Sequence, residues 1–334
     1  MKLERTLLLL AVLGATMSAA PSTYGFCRRT TGREPNDPSD TNRCTGWDEQ
    51  ARNACCPYGK PLYWKNACIG FSLQKNASRE VSLSDAQRVF TRAFATWTAT
   101  TCSLDGVPVG RVSLDVKYLG PVECGKVQYN DEGPNQNVIV FRDTGWDHLD
   151  PTNTLGLTTV QYDTGSGEIL GADMEINASQ PRPLSVSDSP PAEALDLLAI
   201  ATHEAGHFLG FAHSVSADAT MYASYRGVSM RDLSPDDSSG ICNVYNPNQT
   251  RSTGDGRVRA EACDERPRNG YTGACDQMGA SIEGGGCAAS PRSSSSSPSS
   301  GTTSYLAMAL TALSFAVLRR VRSLRAARAP RRRS

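Results

Sequence analysis

The sequence has few histidines, a low share of apolar residues and no net charge. Of its 334 residues only 4 are His, and 34 Lys and Arg balance 34 Asp and Glu. A balanced charge gives no overall field that would attract a polyanion such as nucleic acid. The hydrophobic share of 39% is below the usual globular value. We therefore expect no nucleic-acid partner, and we expect part of the chain to lie outside any core.

The N-terminus has the three parts of a secretory signal peptide. Residues 1–20 begin with the basic Lys2 and Arg5, continue through an apolar run from Leu7 to Leu13, and end in the small residues Ser18-Ala19-Ala20. A buried N-terminal helix is the alternative interpretation. The signal peptide predicts export to an oxidising compartment, which fits the 11 cysteines of the chain.

The C-terminus has three successive segments. A linker rich in Ser, Pro and Gly occupies residues 289–303, an apolar run occupies 304–318, and an Arg-rich tail occupies 319–334. The run is short for a membrane span, which needs about 17 residues or more. If it is a transmembrane helix, the arginines stay in the cytoplasm and the preceding chain is exported. A nucleic-acid-binding tail is the alternative, and export disfavours it.

This tail resembles the C-terminal sorting signals of myxobacterial surface proteins. Those signals join a Gly/Cys motif to a short hydrophobic helix and an Arg cluster, and Gly284-Gly285-Gly286-Cys287 stands in the motif position. The resemblance implies processing near Cys287 and retention at the cell surface. A glycolipid-anchor signal is the rival interpretation, but such signals end in their hydrophobic stretch.

Between the two termini, the order of elements predicts an α/β (α+β) domain over residues 61–247. A Cys-rich segment without its own core precedes it at 21–60, and a Cys-containing extension follows at 248–288. The ten cysteines other than Cys287 suggest five disulfides, with the pairing left open. The adjacent Cys55 and Cys56 are expected to have different partners.

The domain is predicted to alternate short strands with three helices. A capping box from Ser84 to Gln87 predicts the start of the first helix, Ser189-Pro190 that of a second ending at Gly210, and Ser234-Pro235 that of a third. The predicted strands are 62–64 with 67–73, 112–118, 137–141, 157–162 and 169–176.

Three of the four histidines lie within the eleven residues H-E-A-G-H-F-L-G-F-A-H, residues 203–213. His203 and His207 are four apart on one face of a helix, so both imidazoles can reach the same metal ion. Gly210 permits the positive φ that ends the helix and lets the chain bring in His213. Three imidazoles leave one position of a tetrahedral Zn²⁺ open, which is the arrangement of a catalytic site.

Glu204 lies beside the first ligand and is placed to act on water rather than on the metal. Zinc lowers the pKa of its water to about 7 and polarises a carbonyl, while Glu204 takes the proton and passes it to the leaving amine. The predicted reaction is peptide-bond hydrolysis. A structural zinc site or an inactive enzyme is the alternative, although no fourth protein ligand is obvious.

The motif resembles that of the metzincins, zinc proteases in which a methionine turn follows the extended histidine motif. Met221 lies eight residues after His213, a spacing that resembles the matrixin branch, the matrix metalloproteases. Ser214 and the stretch from Leu233 to Tyr245 are also similar to that branch. The resemblance covers residues 61–247 and implies a metzincin-like domain with a twisted mixed sheet, an active-site helix and a C-terminal helix.

The resemblance also implies roles for individual residues. His203, His207 and His213 would bind one zinc ion, Glu204 would be the general base, and Met221 would form the floor of the site. The strand containing Leu157, Thr158, Thr159 and Val160 would be the free edge that pairs with an extended peptide substrate. The segment from Tyr222 to Arg231 would wall the specificity pocket.

Several features depart from the matrixin pattern. Ala223 stands where matrixins usually have Pro, and Cys124-Gly125 does not match their cysteine switch. Only His148 remains for a second zinc site, so that site cannot be built, and His148 is interpreted as a loop residue. Matrixins also bind Ca²⁺, and six acidic residues offer oxygen ligands, but a solvated acidic face is favoured: Asp143, Asp147, Asp150, Asp163, Asp173 and Glu175.

Together these features predict a secreted or surface-retained zinc endopeptidase acting on protein or peptide substrates. Its membrane contact would be the C-terminal helix or a processed anchor. The alternative function is a surface adhesion or binding protein that keeps the zinc fold without turnover.

Overall fold

The computed structural model describes residues 26–32, 59–148 and 150–274. The predicted signal peptide, linker, apolar run and Arg tail lie outside these residues, as do Cys55, Cys56 and Cys287. Within the described ranges, no helix is long and apolar enough to cross a membrane. The helices are α1 (Leu83–Thr98), α2 (Leu197–Phe208) and α3 (Pro235–Val244). The strands are β1 (Cys68–Gln74), β2 (Thr101–Leu104), β3 (Val107–Arg111), β4 (Asp115–Val122), β5 (Val138–Arg142), β6 (Gly156–Tyr162), β7 (Ile169–Asn177), β8 (Leu184–Ser185), β9 (Leu195–Asp196), β10 (Tyr245–Asn246), β11 (Thr250–Thr253) and β12 (Gly256–Arg259).

Five strands form a mixed sheet in the order β4-β1-β5-β7-β6. The first four are parallel to their neighbours, whereas β6 runs antiparallel to β7 and forms an edge of the sheet. The central strands β1, β5 and β7 are buried along almost their whole length, as expected for strands covered on both faces. The predicted α+β fold with a mixed sheet is confirmed.

Helices α1 and α2 pack against each other and against the sheet. An aromatic row joins the layers: the ring of Phe94 lies 4.9 Å from that of Phe71 on β1 and 5.0 Å from that of Phe208 on α2. Trp97 is fully buried, and its indole N–H donates to the carbonyl of Thr202 on α2. These contacts fix the height of α2 above the sheet.

Two predicted helix starts are wrong. Helix α1 begins one residue before Ser84, because the Ser82 hydroxyl accepts from the backbone N–H of Asp85 and caps the helix there. Helix α2 begins at Leu197 instead of after Ser189-Pro190, because the adjacent Pro191 keeps Pro190 extended. The Asp196 carboxylate caps α2.

The C-terminal end of α2 and the start of α3 follow the prediction. Gly210 has a φ of +94°, which takes the chain out of α2. Ser234 and Asp237 cap α3 reciprocally, with Pro235 in the first turn. The predicted strand 112–118 is shifted in the structure to Asp115–Val122, since Val112 and Leu114 are buried as separate residues before the strand begins.

Segments on both sides of the predicted domain are bonded to it. Arg28 forms an antiparallel bridge with Phe211, and Thr30 forms one with Pro61. Beyond residue 247, β11 pairs with β10 and β12 pairs with β11. Disulfides join Cys68 to Cys263 and Cys102 to Cys242, and Cys27 and Cys124 are also disulfide-bonded.

Candidate metal centre

Three imidazoles converge at the C-terminal end of α2. The Nε2 atom of His207 lies 3.1 Å from that of His203 and 3.2 Å from that of His213. Helix α2 places the first two on one face, and the turn at Gly210 returns the chain so that His213 faces them. In the described part of the chain, no other cluster of three or more His, Cys, Asp or Glu side chains could hold a metal ion.

The other ring nitrogens fix the tautomers of two of these histidines. The Nδ1–H of His203 donates to the Thr220 carbonyl at 2.7 Å, and that of His207 donates to the Phe211 carbonyl at 2.8 Å. Because a carbonyl only accepts, each Nδ1 carries the proton and each Nε2 turns a lone pair toward the centre. Burial lowers the pKa of both imidazoles, most strongly for His207, so both are neutral ligands at pH 7.

This donor set fits a zinc ion. Two Nε2 lone pairs that face each other repel unless a cation lies between them. Nitrogen ligands at the usual 2.0–2.1 Å from a tetrahedral zinc lie about 3.3 Å from one another, close to the separations of His207 from His203 and His213. The three histidines could therefore hold zinc with little movement.

Glu204 lies under the edge strand β6. Its Oε2 accepts a hydrogen bond from the Thr158 hydroxyl at 2.6 Å. A Cβ at Gly156 would lie 2.7 Å from Oε1, so the carboxylate fits only because this position lacks a side chain. Burial raises the pKa of Glu204 to about 7, against the opposing effects of the Thr158 hydrogen bond and the positive charge of Arg29.

Met221 packs beneath the histidine cluster against α2. A Cβ at Gly206 would lie 2.2 Å from the sulfur of Met221 and 2.7 Å from the ring of Trp97, so only glycine permits this approach. The carboxylate of Asp237 accepts the backbone N–H groups of Thr220 and Met221. Residue Asp237, which the sequence predicts only as a first-turn acid of α3, therefore also holds the turn that orients His203.

The segment from Tyr222 to Arg231 leads from this turn back to the start of α2. Tyr225 accepts the backbone N–H of Asp196 through its hydroxyl. The guanidinium of Arg231 binds both carboxylate oxygens of Asp196, at 2.6 and 3.0 Å. The sequence gives no sign of this buried pair, because its members are 35 residues apart.

A model of the matrixin family matches residues 63–246, more than half of the chain. The chain belongs to the matrixin family. It is 24% identical over 204 residues to an interstitial collagenase of Bos taurus, and the aligned region covers 61% of this chain and 37% of the collagenase. It is 28% identical over 201 residues to Metalloendoproteinase 1-MMP of Arabidopsis thaliana, which covers 57% and 46%. The chain thus matches less than half the length of either relative.

The predicted matrixin resemblance is confirmed, and the structure adds detail to the departures from it. Cys124 is disulfide-bonded and fully buried, so its thiol cannot act as a switch ligand. His148 contacts a buried carboxylate: its Nε2 lies 2.8 Å from Oε2 of Glu175, whose other oxygen pairs with Arg142 at 2.6 Å.

For Asp173 and Glu175, the predicted solvated acidic face is wrong. Both lie on β7, which is covered, and are 8% and 4% exposed. Asp173 accepts the backbone N–H groups of Val138 and Gln128. Among the described residues, these acids form no cluster of three that could hold calcium. Protein donors take the places that a cation would fill at Asp173 and Glu175.

Proposed function

We propose that this matrixin is a zinc-dependent endopeptidase that is exported and acts on extended protein or peptide segments. The observation that carries the proposal is the convergence of three Nε2 atoms beside a buried carboxylate, under the edge strand of the sheet. Membership of the matrixin family supports the same activity. The names of the relatives, a collagenase and a metalloendoproteinase, are in line with it.

His203, His207 and His213 would hold the zinc ion. When bound, zinc would supply a water molecule of lowered pKa and would polarise the substrate carbonyl. Glu204 is the general base: its carboxylate takes a proton from water as the water oxygen attacks the carbonyl carbon. Glu204 then gives that proton to the nitrogen of the leaving amine as the C–N bond breaks.

The edge strand β6 binds the substrate backbone. Its inner neighbour is β7, and within the described part of the chain no strand pairs with its outer side. An extended peptide can add there as a further strand, with its backbone hydrogen-bonded along Leu157, Thr158, Thr159 and Val160. The segment from Tyr222 to Arg231 forms the facing wall and selects the substrate side chain.

Residues 1–20 direct export. All six cysteines of the described residues are disulfide-bonded, which is in keeping with an oxidising compartment. Retention at the cell surface follows from residues 304–318 or from processing at Cys287. Mass spectrometry of the mature C-terminus distinguishes these routes, since processing removes the mass of the Arg-rich tail.

Substituting Glu204→Gln tests the activity directly. We expect wild type to cleave a denatured protein, a chelator to stop cleavage and added zinc to restore it. The Gln variant keeps one zinc per chain but loses hydrolysis, by a factor on the order of 10² to 10⁴ typical of a lost general base. Glu193→Gln, at an exposed position before α2, is the matched control and keeps full activity.

Two results would contradict the proposal. Undiminished cleavage by the Gln variant removes Glu204 from the mechanism. A wild-type protein that holds one zinc ion yet cleaves no member of a broad peptide library favours the alternative function, a surface adhesion or binding protein.

A further inference from the structure

Strand β6 carries two residues on its inner face that contact Glu204, Thr158 and Gly156, in addition to its free backbone edge. Thr158 is 3% exposed, and its hydroxyl donates to Oε2 of Glu204 at 2.6 Å. Gly156, two residues earlier on the same strand, packs against the carboxylate so closely that a Cβ at this position would lie 2.7 Å from Oε1. Side chains two residues apart on a strand share a face. The inner face of β6 therefore determines where the carboxylate lies.

The two oxygens of Glu204 are not equivalent. Oε2 is engaged by a hydroxyl that, as a donor to a carboxylate, forms a short and strong hydrogen bond. Among the described residues no protein group donates a hydrogen bond to Oε1, so this oxygen can accept a proton from water. A carboxylate held through one oxygen also keeps a single orientation, since rotation about its terminal bond would break that hydrogen bond.

We propose that Thr158 is a positioning residue that holds Glu204 through Oε2, so that Oε1 is the oxygen that exchanges the proton; this inference rests on the proposed peptidase function. In the attack step, an O–H bond of water breaks and its proton goes to Oε1, while the water oxygen bonds to the carbonyl carbon and the C=O π pair moves onto the carbonyl oxygen. In the second step that pair re-forms C=O, the C–N bond breaks, and the proton passes from Oε1 to the amine nitrogen. Thr158 keeps its proton throughout and donates to Oε2 in both steps.

The position of Thr158 couples this orientation to substrate binding. The backbone of β6 is the proposed pairing edge for the substrate peptide, and the Thr158 side chain contacts Glu204 from the same strand. A peptide that adds to β6 is thereby placed at a fixed distance from Oε1. Accurate placement of this kind raises the turnover rate, whereas the backbone pairing itself contributes to binding.

Three threonine variants test the proposal. Thr158→Val removes the hydroxyl at nearly the same volume, and we expect kcat to fall roughly tenfold to hundredfold, the equivalent of one hydrogen bond to a charged group, with KM unchanged. Thr158→Ser restores the hydroxyl and most of kcat. Thr202→Val is the matched control: this threonine is equally buried, but its hydroxyl donates to the Leu198 carbonyl, and kcat stays at the wild-type value.

Zinc content, melting temperature and a crystal structure provide readouts that do not depend on turnover. We expect Thr158→Val to hold one zinc ion, to melt near the wild type, and to show the Glu204 carboxylate rotated away from the wild-type position. A wild-type kcat in Thr158→Val, or no recovery in Thr158→Ser, overturns the proposal. Loss of zinc in Thr158→Val also overturns it, since the role would then be structural. The peptidase function itself is judged separately, by wild type against Glu204→Gln.

Discussion

Gly206 is the residue on α2 at which the helix meets the methionine below it. The hydrogen of Gly206 stands where a methyl group would lie 2.2 Å from the Met221 sulfur and 2.7 Å from the Trp97 ring. Both neighbours are buried, so neither can move away into solvent. In an isolated helix, by contrast, alanine is more stable than glycine by about 1 kcal/mol. Packing therefore favours glycine at this position, whereas helix propensity favours alanine.

In Gly206→Ala, the packing cost is expected to exceed the gain in helix propensity. Overfilling a close-packed core costs about 1–3 kcal/mol, which exceeds the gain in helix propensity, so the free energy of unfolding falls. Urea denaturation of wild type and Gly206→Ala measures this difference in the free energy of unfolding. Gly273→Ala is the control, because a Cβ there meets no atom within 4 Å, and it leaves stability unchanged. A Gly206→Ala protein more stable than wild type would show that Met221 moves freely.

At the residue scale, the site residues that follow from spacing along one helix can be predicted from the sequence. The contacts between distant segments cannot. His203, His207 and Glu204 follow from a local helical pattern, and Gly210 follows from its φ requirement. The hydrogen bond from Thr158 to Glu204 spans 46 residues, and that from Thr220 to Asp237 spans 17. No periodicity records such pairs, because they exist only once the sheet, the helix and the turn have packed together.

At the element scale, the start of α2 depends on one buried ion pair. Asp196 accepts the N–H groups of Leu198 and Ala199, and it also binds the guanidinium of Arg231. Arg231 in turn donates to the carbonyls of Ser187 and Asp188. One carboxylate thus caps the helix and neutralises the arginine that anchors the preceding loop.

Asp196→Ala should therefore destabilise the whole fold. The change leaves a buried guanidinium without its counter-charge, which costs about 3–5 kcal/mol. Urea denaturation at pH 7 measures the loss. Asp196→Asn keeps a capping oxygen and should fall between the alanine variant and wild type. Asp255→Asn, which removes the exposed partner of Lys60, serves as the control with no measurable change. Equal stability of Asp196→Ala and wild type would contradict the structure.

The wrong helix starts show which element boundaries a sequence leaves open. Ser82 and Ser84 both precede the apolar face of α1, and either could cap it until the position of the helix on the sheet is known. The Ser189-Pro190 pair has the order of a helix start, but Pro191 follows it. Ser234-Pro235 has the same order without a second proline, and there the prediction of α3 is right.

For the whole molecule, the α+β class follows from the order of elements, but the strand order does not. The parallel neighbours β1 and β5 are separated in the sequence by β2, β3 and β4. The sequence also does not predict which cysteines form disulfides with each other. The disulfides Cys68–Cys263 and Cys102–Cys242 span 195 and 140 residues. These long closures tie the extension after residue 247 to β1 and tie the β2–β3 hairpin to α3.

The buried carboxyl group of Asp173 on β7 makes the stability of the folded protein depend on pH. Burial raises the pKa of Asp173 to about 7 from 3.8, although the N–H groups of Val138 and Gln128 favour its charged form. The folded state thus holds a proton that the unfolded chain releases near pH 4. The contribution of Asp173 to stability is complete below that pH and is lost as the pH rises toward 7.

Wild type and Asp173→Asn should therefore differ in stability by an amount that changes with pH. Between pH 4 and pH 7, the free energy of unfolding of wild type should fall relative to that of the variant by roughly 4 kcal/mol, the equivalent of the pKa difference. Urea denaturation of both zinc-saturated proteins in steps of pH measures this. Because the other titrating groups are the same in both proteins, their effects cancel in the difference. A difference that stays constant would mean that the two backbone N–H groups outweigh burial and keep Asp173 charged throughout.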